Sequence, residues 1–96
     1  MTINLTSGNF TLNGGLYYSS AFIQNSDDSF MTVAIWTSES STASMQASIN
    51  EVDWIDVANT SFAVSNAGLQ TFIECHLGLK YRIKIDHLPL KAQILI

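Results

Sequence analysis

The chain has 96 residues, of which 47% are hydrophobic and 12% are charged, and its formal net charge is −4. The hydrophobic share is too high for a disordered chain, and the length fits one domain. All four basic residues lie in the last seventeen positions, and the charged residues before them are all acidic. A broad basic face for binding nucleic acid is therefore not expected.

Most of the polar residues are Ser, Thr and Asn rather than ions, so copies of the chain repel one another weakly. This composition favours packing against other copies or against a partner. The single Cys75 cannot form an internal disulfide, and it fits assembly in a reducing cytosol. We expect no signal peptide after Met1, and no membrane contact, because no apolar run approaches the length of a transmembrane helix.

The predicted elements are all strands, because apolar and polar residues alternate with a period of two. In chain order the expected strands span 2–6, 9–12, 16–24, 30–37, 45–50, 53–57, 61–65, 69–77, 81–86 and 90–94. The clearest alternation is in 45–50 and 81–86, where one face is predicted to carry Met45, Ala47 and Ile49, and Tyr81, Ile83 and Ile85. Short strands at this spacing, without a helical stripe, predict one antiparallel β-sandwich domain, jelly-roll-like, over 1–96. Within it, 1–12 is an edge strand or an extended arm.

Turns are expected where Asn, Gly, Ser and Asp cluster, because these residues favour tight backbone angles. The clusters span 13–15, 25–29, 39–43, 50–51 and 66–68. Asn50-Glu51 predicts a tight hairpin between 45–49 and 52–57. Pro89 lies between the last two strands, where its missing N–H breaks no ladder bond.

One predicted strand has apolar residues on both faces. In 30–37 these are Phe30, Val33, Ala34, Ile35 and Trp36. Either the chain itself covers the second face, or that face is buried against another subunit. The pattern leaves both interpretations open.

No pattern of catalytic or metal-binding residues is found. Cys75 and His76 are adjacent in a strand, so they point to opposite faces and cannot form a dyad, and His87 lies in a loop. The acidic turn around Asn50, Glu51, Asp53 and Asp56 could offer oxygens to Ca²⁺, but it lacks the spacing of an EF-hand. We therefore expect a solvated loop, no enzyme, no cofactor and no metal.

Two groups of residues favour contacts instead. Arg82 and Lys84 share one face of a strand, and we expect an ion pair with Asp53, Asp56 or Glu74, within a subunit or between subunits. Four aromatic residues are either core and interface anchors or a sugar-binding platform, namely Trp36, Trp54, Tyr17 and Tyr18.

The stretch 43–96 reads as one pattern of strands and turns. It reads Ser44-Met45-Gln46-Ala47-Ser48-Ile49, a turn, Asp53-Trp54-Ile55-Asp56-Val57, Ser61-Phe62-Ala63-Val64, and then Tyr81-Arg82-Ile83-Lys84-Ile85. This string resembles the small β-sandwich virion proteins of tailed bacteriophages, although the turn before Trp54 lacks their usual glycine. The resemblance implies a capsid decoration protein, or another head or tail accessory protein, often trimeric and without catalysis. It also implies a virion location after synthesis in the host cytoplasm.

The expected function is therefore that of a structural virion protein that acts through protein–protein contacts. Its partners would be other copies of itself, as a homo-oligomer with a trimer favoured, and a major capsid or other virion protein, with no nucleic acid and no membrane. The expected interface residues are Phe30, Trp36, Trp54, Tyr17, Tyr18, Arg82 and Lys84, with the basic C-terminal strand of one copy meeting the acidic loop 50–56 of another. A carbohydrate- or receptor-binding module of the fibre or adhesin type is the alternative, and an inhibitor of a host protein is a third.

Overall fold

The computed structural model describes residues 2–23, 30–72 and 78–96. Its strands are β1 Thr2–Thr6, β2 Phe10–Asn13, β3 Leu16–Ser19, β4 Phe22–Ile23, β5 Met31–Trp36, β6 Ser41–Ser48, β7 Ile55–Asp56, β8 Phe62–Val64, β9 Ala67–Phe72, β10 Lys80–Ile85 and β11 Lys91–Leu95. A 3₁₀ turn at Ser7–Asn9 joins β1 to β2. Among these residues, no helix is long and apolar enough to cross a membrane.

The strands form two antiparallel sheets that pack as a β-sandwich, which confirms the predicted fold class. The four-stranded sheet has the order β1-β11-β5-β9. The seven-stranded sheet has the path β2-β3-β10-β6-β7, with β4 added beside β10 and β8 beside β6. Within the N-terminal segment, β1 is an edge strand of the four-stranded sheet, where it pairs with β11 from Thr2↔Leu95 to Thr6↔Lys91, and β2 is an edge strand of the seven-stranded sheet.

The core lies between the central strands of both sheets. It is formed by alternate residues of each strand, which are buried as a pleated backbone requires: Met31, Val33 and Ile35 of β5, Tyr81, Ile83 and Ile85 of β10, Ala92 and Ile94 of β11, and Ala43 and Met45 of β6. Each fully buried aliphatic side chain contributes about 1.5–3 kcal/mol relative to exposure. The same alternation sends Arg82 and Lys84 to the outer face of the seven-stranded sheet.

Three sequence predictions need correction. The expected strand 16–24 is divided at Ser20 and Ala21 into β3 and β4. The strand expected at 45–50 begins earlier, at Ser41, and ends at Ser48, so Ile49 is exposed instead of inward-facing. The prediction of a tight hairpin at Asn50-Glu51 is wrong. The connection is a longer loop, 49–54, because side chains in the turn bind its backbone. The cluster 25–29 and the end of strand 69–77 lie outside the described residues.

Buried hydroxyl groups complete the seven-stranded sheet at two places where a strand is interrupted. β3 and β4 share one edge of β10, and between them Ser19 Oγ accepts the N–H of Ile83 at 2.8 Å. β7 and β8 share one edge of β6, and between them Thr60 Oγ1 accepts the N–H of Met45 at 3.0 Å. Each hydroxyl accepts the backbone N–H that a carbonyl of an uninterrupted neighbouring strand would accept. This buried N–H therefore keeps a hydrogen-bond partner.

Candidate functional site

The outer face of the seven-stranded sheet carries a stack of an arginine between two aromatic rings. The guanidinium carbon of Arg82 lies 4.3 Å from the centroid of the Tyr18 ring and 4.3 Å from that of Trp54. We call Tyr18, Arg82 and Trp54 the arginine stack. A cation held against two π faces gains electrostatic attraction from both, and the flat guanidinium suits this geometry better than an ammonium group does.

Strand register explains the arginine stack. Lys84 of β10 is opposite Tyr18 of β3, so Arg82, two residues earlier, is the diagonal neighbour of that ring. On its other side Arg82 is opposite Gln46 of β6, which in turn is opposite Asp56 of β7. Trp54 lies two residues before Asp56 and so reaches the same face.

A series of hydrogen bonds holds the Arg82 side chain in place. Arg82 Nε donates to Gln46 Oε1 at 2.8 Å, Gln46 Nε2 donates to Asp56 Oδ1 at 3.0 Å, and Lys84 Nζ donates to the same carboxylate oxygen at 3.0 Å. The Gln46 bond and the Lys84 ammonium lower the pKa of Asp56 below its ordinary value of 3.8. Burial lowers the pKa of Arg82, opposed by Tyr18, but the guanidinium stays charged.

The expected ion pair is confirmed for Lys84 and Asp56, and it forms within one chain. Arg82 and Lys84 contact Trp54 and Asp56 of their own chain, and the expected contact of the basic strand with loop 50–56 of another copy stays a prediction. The pairing of β6 with β7 and β10 brings loop 49–54 beside its own basic strand, so Trp54 and Asp56 of the same chain take those positions.

The other expected interface residues are dispersed. Trp36 is half-buried on the outer face of the four-stranded sheet, where Lys91 Nζ lies 4.6 Å from its ring centroid. Tyr17 faces inward and packs against the core, and Phe30 is exposed before β5. Of the four rings considered for a sugar platform, Tyr18 and Trp54 therefore share the outer face of the seven-stranded sheet, whereas Tyr17 faces inward and Trp36 lies on the other sheet. The second face of β5 is half-buried, which leaves open whether another subunit covers it.

The loop 49–54 and the first residue of β7 display the most exposed large apolar side chains of the described residues. Ile49 is 84% exposed, Val52 is 78% exposed and Ile55 is 70% exposed. We call these three residues the apolar tip. Ile49 and Ile55 also line a groove of about 470 Å³ that continues to Leu79, and the groove is walled mainly by carbon. Exposed apolar groups clustered in this way mark an interaction site more often than scattered ones do.

Two side chains hold the backbone of the apolar tip in one conformation. Ser48 Oγ accepts the N–H groups of Asn50 and Glu51 at 3.2 and 2.8 Å. Asn50 Oδ1 accepts the N–H groups of Val52 and Asp53, each at 2.9 Å, and Asn50 Nδ2 donates to Asp53 Oδ2 at 3.0 Å. These Asx- and Ser-type turns order the loop before any partner binds, which reduces the entropy that binding would cost.

A Ser–His–acid cluster that sequence reasoning missed lies at the opposite end of the sandwich. Ser41 Oγ lies 3.0 Å from His87 Nδ1, and His87 Nε2 lies 3.0 Å from Glu39 Oε2. Ser41 is 7% exposed, and its hydroxyl also lies 3.2 Å from the Glu39 carbonyl oxygen, so a substrate carbonyl has little room to approach. The cluster joins the loop before β6 to the loop after β10.

Asp86 belongs to the same cluster. Burial raises the pKa of Asp86, but the Thr42 N–H, at 3.0 Å from Oδ1, and the neighbouring His87 outweigh burial and hold this pKa below 3.8. Among the described residues, no group of three or more His, Cys, Asp or Glu side chains is arranged to hold a metal ion. Cys75, His76 and Glu74 lie outside the described residues.

Comparisons with protein-family models, with curated proteins and with solved structures gave no match to this chain. The resemblance of 43–96 to virion accessory proteins therefore stays a prediction.

Proposed function

We propose that this chain is a non-enzymatic structural protein of a tailed-phage virion, a capsid decoration or other accessory subunit that acts through protein–protein contacts. The observation that carries the proposal is the apolar tip, an ordered loop that holds three aliphatic side chains in solvent. The partners are a virion protein, such as the major capsid protein, and other copies of this chain, with a trimer favoured.

The apolar tip offers a moderate binding energy. Full burial of one aliphatic side chain contributes about 1.5–3 kcal/mol, so covering the exposed parts of Ile49, Val52 and Ile55 contributes roughly 3–7 kcal/mol. The loss of translational and rotational freedom on association consumes much of this energy. A single contact is then weak, whereas many copies on one shell attach firmly through their combined contacts. Such repeated weak contacts suit a decoration protein.

The low charge of the chain supports the same proposal. Lys84 pairs with Asp56, and Arg82 lies between two rings and bonds to Gln46, so these groups of the outer face already have partners within the chain. A surface of Ser, Thr and Asn can form hydrogen bonds at a shell without the large desolvation cost of ions.

The test is to purify particles of the virus that encodes the chain and to measure the chain in them by quantitative mass spectrometry. We expect many copies in wild-type particles and a large loss from particles that carry Val52→Asp, because a carboxylate cannot be buried without a partner. Leu12→Asp is the matched control, since Leu12 is also an exposed aliphatic residue but lies at the other end of the sandwich. Thermal unfolding of the purified variants confirms that both are folded.

Absence of the wild-type chain from purified particles would refute the virion proposal. Equal incorporation of the Val52→Asp and wild-type chains would show that the apolar tip does not attach the protein. Capsid and portal genes beside the one for this chain would be a second, independent support.

A further inference from the structure

We propose that the apolar tip of one copy docks on the outer face of the four-stranded sheet of a second copy, in a head-to-tail contact. This inference rests on the proposed function and names the self-association within it: the apolar tip holds copies to one another on the shell, and the virion protein binds another surface of the chain. It assigns the apolar tip and the outer face of the four-stranded sheet to each other as partners.

The receiving face, as we call it, consists of Trp36, Ala34, Leu69 and Lys91. Strand pairing brings them together, since Trp36 is opposite Lys91 in β11 and Ala34 is opposite Leu69 in β9. Leu69 is 66% exposed, and Trp36 and Ala34 are half-buried, so the face has uncovered carbon surface. Lys91 is the one charged residue among the outward-facing residues of the four-stranded sheet that the structure describes.

The charges of the two surfaces are complementary. The apolar tip is flanked by Glu51 and Asp53, and neither carboxylate has an ion pair among the described residues. The receiving face presents the ammonium of Lys91. A second groove, of about 600 Å³, lies near Leu12 and Leu90, but Glu39 and Asp86 line it and would repel the acidic tip. Charge therefore selects the receiving face.

The two surfaces lie at opposite ends of one molecule, whose longest extent is 34 Å. β6 runs from Ser41, beside His87, to Ser48, where the tip begins. Trp36 lies at the end nearer His87, since its carbonyl oxygen accepts the Leu90 N–H at 2.8 Å. A chain cannot fold its own tip onto its own Trp36, so the contact joins different copies. A contact of this heterologous kind forms a closed ring or an open chain, and a ring of three copies agrees with the trimer.

The decisive experiment mixes two variants that each lack one half of the contact. Val52→Asp removes the tip and leaves the receiving face, whereas Leu69→Asp does the opposite. In sedimentation velocity, wild-type protein should form rings or chains, and each variant alone should associate at least about tenfold more weakly. The equimolar mixture should form a heterodimer with one copy of each variant and grow no further. Thermal unfolding of each variant verifies its fold.

A charge exchange tests the pairing directly. Glu51→Lys and Lys91→Glu should each weaken association, and the double variant should recover it, because the opposite charges then face each other again. Leu12→Asp is the control outside both surfaces and should associate like the wild type. A monomeric wild type, a mixture that stays monomeric, a double variant weaker than either single one, or an effect of Leu12→Asp would each overturn the inference. If purified virions contain a chain that is monomeric in solution, the proposed function stands and the head-to-tail contact fails.

Discussion

Removal of the Thr60 hydroxyl should destabilise the protein far more than the loss of one oxygen atom suggests. Thr60 Oγ1 accepts the Met45 N–H at 3.0 Å and donates to the Val57 carbonyl at 2.8 Å, at the break between β7 and β8. Valine has nearly the same shape as threonine. Thr60→Val therefore keeps the packing and removes both hydrogen bonds.

The size of the expected loss of stability follows from the burial of the backbone groups that lose their hydrogen-bond partner. Met45 lies in the central strand β6, and its N–H would lose its acceptor inside the sandwich, since Thr60 and Met45 are both buried. An unpaired buried donor costs about 1–3 kcal/mol. In a domain of this size each kcal/mol lowers the melting temperature by about 4–8 °C. Thr60→Ser retains the hydroxyl and loses one methyl group, so its cost should not exceed about 0.8 kcal/mol.

The assay is equilibrium urea unfolding followed by tryptophan fluorescence, with Thr71→Val as the matched control. Thr71 also uses its hydroxyl in a cross-strand contact, at 2.9 Å from Thr32 Oγ1, but it is exposed and water can replace the bond. We expect the control to lie within about 0.5 kcal/mol of the wild type. If Thr60→Val also lies within that range, or if Thr60→Ser is as harmful as Thr60→Val, the idea that the hydroxyl replaces a strand carbonyl is wrong.

Three further predictions follow from other contacts. Arg82→Met should lower the free energy of unfolding by about 1–3 kcal/mol in urea titrations, because two cation–π contacts and the bond to Gln46 are lost. Asp86→Asn should reduce stability at pH 7, and its difference from wild type should shrink as the pH falls below about 5. The native pKa is lowered, so the folded state binds fewer protons than the unfolded state, and this contribution is lost on acidification. Gly68→Ala should cost about 1–3 kcal/mol in thermal unfolding, because a Cβ would lie 2.8 Å from the Ala63 carbonyl oxygen.

Each of these predictions has a matched control. Arg82→Lys keeps the charge but not the flat shape, so stability equal to wild type would contradict the stacking argument. Glu51→Gln, at a side chain without an ion pair among the described residues, should be as stable as the wild type at pH 7, and a loss as large as that of Asp86→Asn would point to net charge alone. Gly8→Ala meets its nearest atom at 3.6 Å, so it should be tolerated, and a cost equal to that of Gly68→Ala would indicate a general loss of chain flexibility.

The sequence predicts the two-layer fold well where a strand has partners on both sides. Tyr81, Ile83 and Ile85 are buried as their alternation predicts, because β10 lies at the centre of its sheet and one of its faces must pack on the core. The same rule fails at Ile49. There the strand ends at Ser48, and its hydroxyl binds the turn backbone, a local interaction that alternation does not represent.

The candidate surfaces were harder to predict, because they depend on pairing between distant strands. Arg82 meets Tyr18 and Trp54 only when the registers of β3, β10, β6 and β7 are all known. Ser41 and His87 lie 46 positions apart in sequence, and nothing in their local patterns joins them. The signal for the apolar tip is Ile49, Val52 and Ile55 around the turn at Asn50-Glu51, but the alternation of apolar and polar residues there predicts strands.

The Ser- and Thr-rich composition acquires a structural meaning from the two interrupted strands. A short strand next to a central one leaves backbone N–H groups unpaired wherever it stops, and a buried N–H must find an acceptor. Ser19 and Thr60 supply that acceptor from a side chain, so β3, β4, β7 and β8 can be very short while β6 and β10 stay fully paired. Loss of the Thr60 hydroxyl should therefore lower stability, because the break between β7 and β8 depends on it, whereas Val52→Asp should disturb docking alone.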